Sequence, residues 1–524
     1  MADDEKEEVD ENSEEEEGSD SLGFERDLWK SADKMRGNMD ASEYKHVVLP
    51  LVFLKYISDA YEDLRANLTE RGRNPDNKDE YIAKGVYVVP KKARWTSIVE
   101  QAMDPNIGVI IDDAMEVIEK DNRELRGVLR KNFGSSDLST RVLGEVVTLF
   151  GNLPSFGNEE ARSKDIIGRV YEYFIGMFAE KEKKGGGEFY TPRSVVRLLV
   201  EMLQPYQGRI YDGCCGSGGM FVQSVKFMEA HADRVNASIY GQESNPTTWR
   251  LAKMNLAIRR IEVNLGESHD DTLINDLHPD LRADFAIVNP PFNIKDWGHE
   301  TLQDDARWKY GVPPKGNANY AWIQHYLHHL APQGMAGIVM SNGSLSTSKK
   351  EEKVIREGII NDDKLDCVVM LPDKLFTNTG ISACIWFLTN SKTDSRYRNR
   401  KGETLFIDCR GMGKMTSRTL RELTKKDLAK IAGTYQNWRS KDNYDAYEDE
   451  RGFCKAVTTA NEITEHEYII VPGRYVGAPP LPDDGEPFED KMKRLTKELG
   501  EHFTESRRLE DEIRKNLRDL GFDF

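Results

Sequence analysis

Apolar residues in the first 155 positions recur at the three- and four-residue spacing of amphipathic helices. In residues 41–68 one such stripe and its neighbours comprise Val48, Leu49, Leu51, Val52, Phe53, Lys55, Tyr56, Asp59 and Ala60. Further helical patterns cover residues 108–133 and 140–150. We find no phosphate-binding glycine loop and no cluster of metal ligands in this stretch of sequence, so we interpret residues 23–155 as a helical domain with a structural or docking role.

A different pattern covers residues 160–476, where short β-rich runs alternate with helical stretches. A helix over residues 165–181 comes first. The β-rich runs are residues 209–212, 238–242, 284–288, 337–340, 365–370, 381–388 and 404–408. Such alternation predicts an α/β fold with a mostly parallel, doubly wound sheet. A short polar segment separates the last two runs, which predicts an antiparallel hairpin at the end of the sheet.

A proline-rich linker, GAPPLPDDGEP at residues 477–487, leads to a C-terminal helical pattern over residues 488–524. The apolar residues of this pattern lie mostly three or four positions apart and are Met492, Leu495, Leu499, Phe503, Leu509, Ile513, Leu517 and Leu520. A single helix of this kind is about 45 Å long. The pattern favours a coiled-coil contact with a partner chain, and the alternative is a helix folded back on its own domain.

The charge of the chain is concentrated at its N-terminus. Overall, 90 acidic and 73 basic residues give a net charge of −17. Residues 1–22 hold 12 acidic residues and one lysine, so they carry −11 and leave −6 for the other 502 residues. We expect this acidic tail to be disordered, either as a solubilising segment or as an interaction arm. The nearly balanced remainder weakens the argument that the net charge excludes a nucleic-acid-binding protein.

The sequence indicates a cytoplasmic protein without a membrane span. It contains no run of about 18 apolar residues, and its N-terminus is acidic where a secretory signal is basic and then apolar. The six cysteines are too sparse for a disulfide scaffold, and they form no Cys-x-x-Cys pair that would indicate a zinc site. We interpret them as buried thiols in a reducing cytoplasm.

A glycine-rich turn follows the first predicted strand, which ends at Asp212. The turn comprises Gly213, Cys214, Cys215, Gly216, Ser217, Gly218 and Gly219. Glycines let the backbone turn tightly and approach a ligand closely, and ligands bind at the carboxyl ends of parallel strands. The turn alone is compatible with a dinucleotide, an adenosyl cofactor or no ligand. No Lys-Ser/Thr pair follows it, which excludes a P-loop.

Two further carboxylates follow the next predicted elements. Glu243 ends the second strand about 30 residues after Asp212, where a carboxylate can accept both hydroxyl hydrogens of a ribose. Asp271 follows a third element, where it can accept a hydrogen bond from an adenine amine. Taken singly, each of these acids is better explained as a solvated carboxylate at the end of a strand.

The motif Asn289-Pro290-Pro291-Phe292 directly follows the predicted strand at residues 284–288. Its prolines fix the backbone and remove two N–H donors, which leaves the Asn289 side-chain oxygen and the Pro290 carbonyl as acceptors. Two fixed acceptors can hold both hydrogens of a planar NH₂ group, whose nitrogen can then attack an electrophile. Phe292 offers a face on which a flat base can stack. A simple strand-terminating turn is the alternative, which the upstream acids disfavour.

These residues resemble the modification subunits of type I restriction-modification systems, which are S-adenosylmethionine-dependent DNA adenine-N6 methyltransferases. The resemblance covers roughly residues 25–475 and implies a Rossmann-like methyltransferase domain after the helical domain. It implies that the methionine part of the cofactor packs against Glu188, Phe189, Tyr190, Thr191, Pro192 and Arg193. It assigns the cofactor loop to residues 212–219, the ribose contact to Glu243, the adenine contact to Asp271 and catalysis to residues 289–292.

Other segments fit the same family, with one departure. Residues 319–325, 371–376 and 472–476 are similar to family segments, whereas Gly213 stands where members usually carry proline. Residues 293–319, with Trp297, Trp308 and Tyr310, either close over a target adenine that has left the duplex or form a surface loop whose aromatic residues only pack.

The resemblance also implies partners besides DNA. No segment of about 100 residues remains for reading bases, so we expect a separate specificity subunit to supply sequence recognition. The most basic stretch, residues 392–401, lies in the predicted hairpin and is interpreted as a solvated turn. The family implies that the specificity subunit contacts residues 488–524, that the complex holds two modification subunits and that a restriction subunit can join it.

Two other functions remain open on the residues alone. An Asn-Pro-Pro methyltransferase can also act on a protein glutamine amide or a small-molecule amine, because the same turn holds any planar NH₂ group. Phe292 weakly disfavours this alternative, since the corresponding motif of glutamine methylases usually resembles Asn-Pro-Pro-Tyr. A catalytically silent scaffold that only senses the cofactor is disfavoured by the intact motif.

Overall fold

The structure is a computed structural model that describes residues 22–37, 39–135, 139–155, 165–181, 191–231, 236–376, 382–478 and 488–522. The chain forms two units, residues 1–477 and residues 478–524. Apart from residue 22, the expected acidic tail lies outside the described residues, as does most of the expected linker.

Eight described helices precede the sheet, and the first seven share one core around the longest of them, whereas the eighth packs in a second core with the sheet. They are α1 (Leu22–Met35), α2 (Ala41–Glu70), α3 (Lys78–Ala83), α4 (Trp95–Val99), α5 (Ile107–Asp121), α6 (Thr140–Gly151), α7 (Ile166–Lys181) and α8 (Arg193–Leu203). Every residue from 47 to 58 in α2 is buried, so this helix is covered on all sides and not along one stripe. The helix expected over residues 108–133 ends at Asp121, where the Asn122 side chain hydrogen-bonds the backbone of Val88 instead.

The core of these helices continues into the α/β part of the chain. From α7 it includes Val170, Tyr171, Phe174 and Phe178, and from α10 (Pro246–Ile258) it includes Leu251, Met254 and Ile258. The Tyr56 hydroxyl also donates to the carbonyl of Ile258 at 3.0 Å. Shared apolar burial therefore joins the N-terminal helices to the sheet domain within one unit.

The α/β part contains eleven strands among its described residues. They are β1 (Gly208–Asp212), β2 (Ala237–Gly241), β3 (Val263–Asn264), β4 (Ala283–Val288), β5 (Leu330–Ser341), β6 (Leu365–Met370), β7 (Ala383–Thr389), β8 (Glu403–Asp408), β9 (Lys414–Met415), β10 (Arg421–Glu422) and β11 (Cys454–Thr458). The helices that accompany them, besides α10, are α9 (Gly219–His231), α11 (Asn319–His329), α12 (Lys350–Asn361), α13 (Lys425–Arg439) and α14 (Gly473–Val476).

Nine of these strands form one sheet in the order β11-β8-β6-β7-β5-β4-β1-β2-β3, while β9 and β10 form a separate hairpin. Strands β1–β6 and β8 all run in the same direction, which confirms the mostly parallel α/β fold. Their carboxyl ends consequently share one edge of the sheet, where ligands of such folds bind. We call this edge the carboxyl edge.

The antiparallel hairpin expected from the last two β-rich runs is wrong. Strand β7 is inserted between β5 and β6 and runs antiparallel to both, whereas β8 lies parallel to β6. All seven residues of β7 are buried, and its sequence, ACIWFLT, is almost entirely apolar. Such a strand stabilises the centre of a sheet better than its edge. The antiparallel strand at the edge is β11, which pairs with β8.

The basic stretch at residues 392–401 is not a solvated turn. The guanidinium of Arg400 and the carboxylate of Asp366 form a fully buried ion pair with an Nε–Oδ1 distance of 3.1 Å. The Lys392 ammonium lies 2.8 Å from an Asp363 carboxylate oxygen and is itself buried. Ion pairs also hold Arg396 to Asp394 and Arg398 to Glu403. Lys392 and Arg400 therefore serve the connection between β7 and β8 from within the fold, whereas Arg396 is 47 % exposed.

The described helices include none that is long and apolar enough to cross a membrane. All six cysteines are free thiols in the structure, and five of them are buried. Burial raises the pKa of thiols such as Cys367 well above its ordinary value, so these groups stay protonated and packed.

The second unit consists of helix α15 (Phe488–Asp519). Apart from Leu517, which is half-buried, the apolar residues of the expected stripe are exposed in the structure, with Met492, Leu499 and Phe503 at 46 %, 51 % and 59 %. Ion pairs between positions i and i+4, such as Arg494–Glu498 and Arg508–Glu512, support the helix on its charged faces.

Candidate functional site

A cavity opens at the carboxyl edge, beside the ends of β1, β2 and β4. It brings together predicted site residues from five separate segments, namely Thr191, Asp212, Gly213, Gly216, Ser217, Gly219, Glu243, Asp271, Asn289 and Pro291. Other predicted site residues do not line it, namely Pro192, Arg193, Gly218, Pro290 and Phe292. The predicted contacts of Glu188, Phe189 and Tyr190 lie outside the described residues.

The glycine-rich turn depends on glycine for its backbone conformation at two positions and for space at Gly213. Gly216 and Gly218 have φ angles of 55° and 80°, a left-handed conformation that glycine adopts without strain. At Gly213, an added Cβ would lie 2.7 Å from the hydroxyl oxygen of Tyr211. Gly213 stands where family members usually carry proline. The close approach of the Tyr211 hydroxyl leaves no space for a side chain at this position.

Glu243 ties the end of β2 to the glycine-rich turn. One of its carboxylate oxygens accepts a hydrogen bond from the backbone N–H of Gly216 at 3.0 Å, and the other accepts one from Asn245 at 2.8 Å. The Asp271 carboxylate accepts from the backbone N–H groups of Leu273 and Ile274 at 2.9 and 3.3 Å. Both carboxylates are thus held in fixed positions at the rim of the cavity.

Asp212 is a buried acid at the end of β1. Its Oδ1 accepts from the backbone N–H of Cys214 at 3.0 Å. Burial raises its pKa to about 7 and the nearby charge of Glu243 adds to the rise, although the hydrogen bonds from Cys214 oppose it. A ligand that donates hydrogen bonds to this carboxylate favours its ionised form.

We expect the Asp212→Asn variant to lose a pH dependence of stability that the unliganded wild type shows between about pH 4 and pH 7. The unfolded carboxyl ionises near pH 4, whereas the folded one, with a pKa of about 7, keeps its proton longer. At this carboxyl the folded state therefore binds more protons in this window, so the contribution of Asp212 to wild-type stability falls as pH rises and levels off above pH 7. Urea unfolding measured across the window checks this, and equal slopes for the two proteins would contradict the raised pKa.

Asn289 presents an oxygen that lacks a partner. Its Nδ2 donates to the Thr191 hydroxyl at 2.8 Å, which fixes the orientation of the amide. Its Oδ1 is buried and accepts no hydrogen bond from the described residues, although Asn289 lines the cavity. An unpaired buried acceptor costs about 1–3 kcal/mol, so this oxygen is set to accept a hydrogen from a ligand.

Phe292 turns away from the cavity lining. Its ring packs edge-to-face against Phe376, with centroids 6.4 Å apart and an angle of 72° between the planes. Stacking of a flat base on Phe292 therefore stays a prediction, and this ring contact joins the motif to the segment after β6.

The helical N-terminal region also supplies cavity walls, which the sequence analysis missed. Lys45 and Leu49 of α2 and Ile175 and Phe178 of α7 line the cavity together with Asn289. The apolar neighbours of Leu49, Ile175 and Phe178 gave them the appearance of core residues. Lys45 offered no distinguishing signal, because Lys55 of the same helix is also buried and does not line the cavity. This region therefore also shapes the site, besides the structural or docking role that the sequence led us to expect.

The segment after the motif is fastened to the cavity through Arg307. All five N–H hydrogens of this buried guanidinium have acceptors: both Asp305 oxygens, the carbonyls of Thr272 and Leu273, and Nδ1 of His325. The Thr272 hydroxyl in turn donates to the carbonyl of Gly213. Arg307 thus connects its own segment to the residues that follow Asp271.

The aromatic residues of this segment are part of its packing. Trp297 and Trp308 are 1 % and 7 % exposed and meet edge-to-face with centroids 5.7 Å apart. The Tyr310 hydroxyl donates to the Asp362 carboxylate at 2.6 Å. Of the two alternatives for residues 293–319, the structure therefore shows the one in which the aromatic residues pack within the protein.

Removal of the Arg307 guanidinium is expected to destabilise the fold. We expect Arg307→Met to lower the free energy of unfolding by about 3 kcal/mol, because the carbonyls of Thr272 and Leu273 lose this donor and the Asp305 carboxylate loses its cation. Arg396→Met is a matched control, since Arg396 pairs with Asp394 in the same Asp-x-Arg arrangement but is 47 % exposed. Its cost should stay below about 1 kcal/mol. Equal losses in urea unfolding would contradict the assigned role.

Asp276, His325 and His329 place three ligand-type atoms within 4.8 Å of one another, but their ring nitrogens are already engaged. His325 contacts Tyr211 and Arg307, and His329 contacts the carbonyl of Leu281 and the Asp276 carboxylate. Burial holds the pKa of His325 well below its ordinary value, so this ring is neutral. We therefore interpret the cluster as a hydrogen-bond network beneath the cavity.

Two family models match the chain. The model described as N-6 DNA Methylase matches residues 162–484, and the model described as HsdM N-terminal domain matches residues 24–150. A crystal structure of a type I restriction-modification system methyltransferase subunit from Streptococcus thermophilus has a TM-score of 0.73 and 24 % sequence identity. That match covers 87 % of this chain and 100 % of the other, and it shows a shared fold.

Curated relatives extend the match in sequence. The type I restriction enzyme HindI methylase subunit of Haemophilus influenzae is 45 % identical over 454 residues, which cover 83 % of this chain and 100 % of the relative. The MjaIX methylase subunit of Methanocaldococcus jannaschii is 39 % identical over 523 residues, covering 95 % and 92 %. Identity of this extent, together with the matched N-6 DNA Methylase model, places the chain in the family of type I restriction enzyme methylase subunits.

Proposed function

We propose that the protein is the modification subunit of a type I restriction-modification complex. It is an S-adenosylmethionine-dependent methyltransferase that acts on the N6 amine of adenine in DNA. The observation that carries this function is the buried Oδ1 of Asn289, which has no hydrogen-bond partner among the described residues; Asn289 lines the same cavity as Asp212, Glu243 and Asp271. It offers an acceptor for an amine beside the carboxylates that suit an adenosyl group.

The cavity residues fit the cofactor. When bound, S-adenosylmethionine supplies a methyl group that its sulfonium already activates. Glu243 would accept the hydroxyl hydrogens of the ribose, and Asp271 would accept a hydrogen bond from the amine of its adenine. The turn at residues 212–219 would let its backbone approach the ligand, and the family resemblance assigns the methionine part to residues 188–193. The unpaired Asn289 oxygen and the paired, fixed carboxylates support these assignments.

The target amine is held by acceptors and needs no strong base. The Asn289 Oδ1 and the Pro290 carbonyl accept its two hydrogens and align its nitrogen with the methyl group. The amine proton becomes acidic only after transfer, so water can take it. Because the cavity lies within the fold, adenine must leave the duplex to reach Asn289.

The orientation of Asn289 depends on Thr191. We expect Thr191→Val to lower kcat for methyl transfer about tenfold, because its amide loses the 2.8 Å partner that fixes it. Thr191→Ser keeps a hydroxyl at this position and should stay near the wild-type value. Single-turnover methylation of DNA measures both variants, and a valine variant as active as the serine variant would contradict this orienting role.

The complex is proposed from the family and from the fold. We propose residues 23–155 as a helical domain, residues 160–476 as the methyltransferase domain and residues 488–524 as the contact for a specificity subunit that reads the DNA sequence. The exposed apolar residues of α15 support this contact. A second modification subunit and a restriction subunit complete the proposed assembly, and the free thiols suit the cytoplasm proposed for it.

The experiment that tests this function is transfer of a labelled methyl group from S-adenosylmethionine, with the chain co-purified with its specificity subunit. Duplex DNA, total protein and small-molecule amines compete as acceptors in one reaction. We expect the label in DNA. Label in protein glutamine or in a small molecule would favour the alternative substrates, and cofactor binding without any transfer would indicate a silent scaffold.

A further inference from the structure

A short basic hairpin projects from the carboxyl edge beside the catalytic motif. It comprises residues 411–426, which include the β9–β10 hairpin after the carboxyl end of β8 and the first two residues of α13. The backbone N–H of Arg421 donates to the carbonyl of Lys374 at 2.8 Å, and its guanidinium lies 3.3 Å from the Asp373 carboxylate. Two residues farther along that same segment, Phe376 meets Phe292. The basic hairpin thus packs on the segment that contacts the motif.

The basic hairpin opposes the charge of the whole chain. Its 16 residues include one acidic residue, Glu422, and the five cations Lys414, Arg418, Arg421, Lys425 and Lys426. The local net charge is therefore +4 in a chain whose net charge is −17. A positive segment at the carboxyl edge attracts a polyanion such as DNA.

The cations of the basic hairpin differ from those of residues 392–401. The latter are held by Asp363, Asp366, Asp394 and Glu403 within the fold. Lys414, Arg418, Lys425 and Lys426 are instead exposed. Among the residues that the structure describes, none of these four forms an ion pair, while Arg421 fixes the hairpin through Asp373. Four charges are consequently available to a ligand on a segment that is itself anchored.

We propose that the basic hairpin binds backbone phosphates of the DNA duplex that brings the target adenine to the cavity. The proposal rests on the proposed function, and it adds a contact made by this chain itself. Lys and Arg side chains that bind phosphates position a duplex without reading its sequence. This division agrees with sequence reading by another subunit, because the hairpin fixes the register of the DNA next to Asn289.

The test uses the full chain in its complex with the specificity subunit. The variants are Lys414→Ala, Arg418→Ala and the double variant. Lys401→Ala is the matched control, because Lys401 is also an exposed lysine but precedes β8, at the opposite edge of the sheet. Binding of a labelled duplex DNA is measured over a series of salt concentrations, and methyl transfer is measured over a series of DNA concentrations.

Each hairpin variant should reduce the slope of log K against log salt by about 1, and the double variant by about 2. The KM for DNA should rise with kcat at saturating DNA unchanged, and Lys401→Ala should match the wild type. Variants with wild-type slopes and KM values would overturn the proposal while leaving DNA methylation intact. Loss of the specificity subunit without a change in slope would overturn it too, by assigning the hairpin to a protein contact.

Measurements of DNA binding and of methyl transfer by the wild-type complex distinguish failure of this proposal from failure of the proposed function. If the wild type binds DNA with a slope that the variants reduce but transfers no methyl group to it, the proposed reaction fails and the phosphate contact stands. If it methylates DNA and the variants leave binding unchanged, the phosphate contact fails alone.

Discussion

Asn289→Ala is expected to abolish methyl transfer to DNA while leaving cofactor binding close to the wild-type value. The unpaired Oδ1 of Asn289 is the side-chain acceptor that the motif offers to the amine, and the alanine variant removes it. Loss of one preorganised polar contact to a reacting group typically costs about 10²–10³-fold in kcat. We expect at least this loss here, because alignment of the amine is the main work of the site.

The measurement is kcat from labelled methyl transfer, with cofactor binding determined by calorimetry on the same preparation. Asn390→Ala provides a matched control, since Asn390 follows β7 at the opposite edge and its amide donates to the carbonyls of Leu330 and Ala331. That variant should lose some stability and keep its kcat. Full activity in Asn289→Ala would refute the mechanism.

Removal of residues 488–524 should prevent co-purification with the specificity subunit and abolish site-specific methylation. Apolar side chains such as Leu499 at 51 % and Phe503 at 59 % exposure supply the surface that this contact buries. The truncated protein should still bind the cofactor, whose proposed ligands all lie before residue 300. Pull-down with the tagged specificity subunit measures assembly.

Two point variants refine this truncation experiment. Phe503→Asp places a charge on the apolar side of α15 and should reproduce the loss of assembly. Lys497→Ala alters an exposed charge, since Lys497 is 79 % exposed and lies 3.9 Å from Glu501, and should assemble normally. An intact complex with the truncated chain would rule out this contact, and a large loss of its melting temperature would indicate a helix folded back on its own domain.

The alternation of helices and β-rich runs predicted the class of fold, because the spacing of apolar residues that distinguishes a helix from a strand is visible within a few neighbouring residues. Strand β4 and the motif after it could be placed from a few adjacent residues, and so could the strand that ends at Asp212. The order of strands is not local. The insertion of β7 between β5 and β6 depends on which faces of ACIWFLT are covered. The short polar segment after β7 has the same sequence pattern as a hairpin turn, which led to the wrong pairing.

Charge along the chain was a poor guide to exposure for a similar reason. Arg400 is buried because Asp366, 34 residues away, meets it with its carboxylate, whereas Lys414 has no such partner among the described residues. The cavity walls contributed by Leu49 and Phe178 were equally hidden, because an apolar residue in a helix has the same pattern whether it faces a core or a ligand. Arg307 carried no local signal at all, since all its acceptors but Asp305 are distant in sequence.

The central claim is that this cavity places a methyl group on the N6 amine of adenine in DNA. The most direct measurement is analysis of the nucleosides from duplex DNA after incubation with the complete complex and S-adenosylmethionine carrying a labelled methyl group. We predict that the label is recovered as N6-methyldeoxyadenosine from the wild type and is absent with Asn289→Ala. Label recovered in another nucleoside, or in DNA treated with Asn289→Ala, would contradict the account.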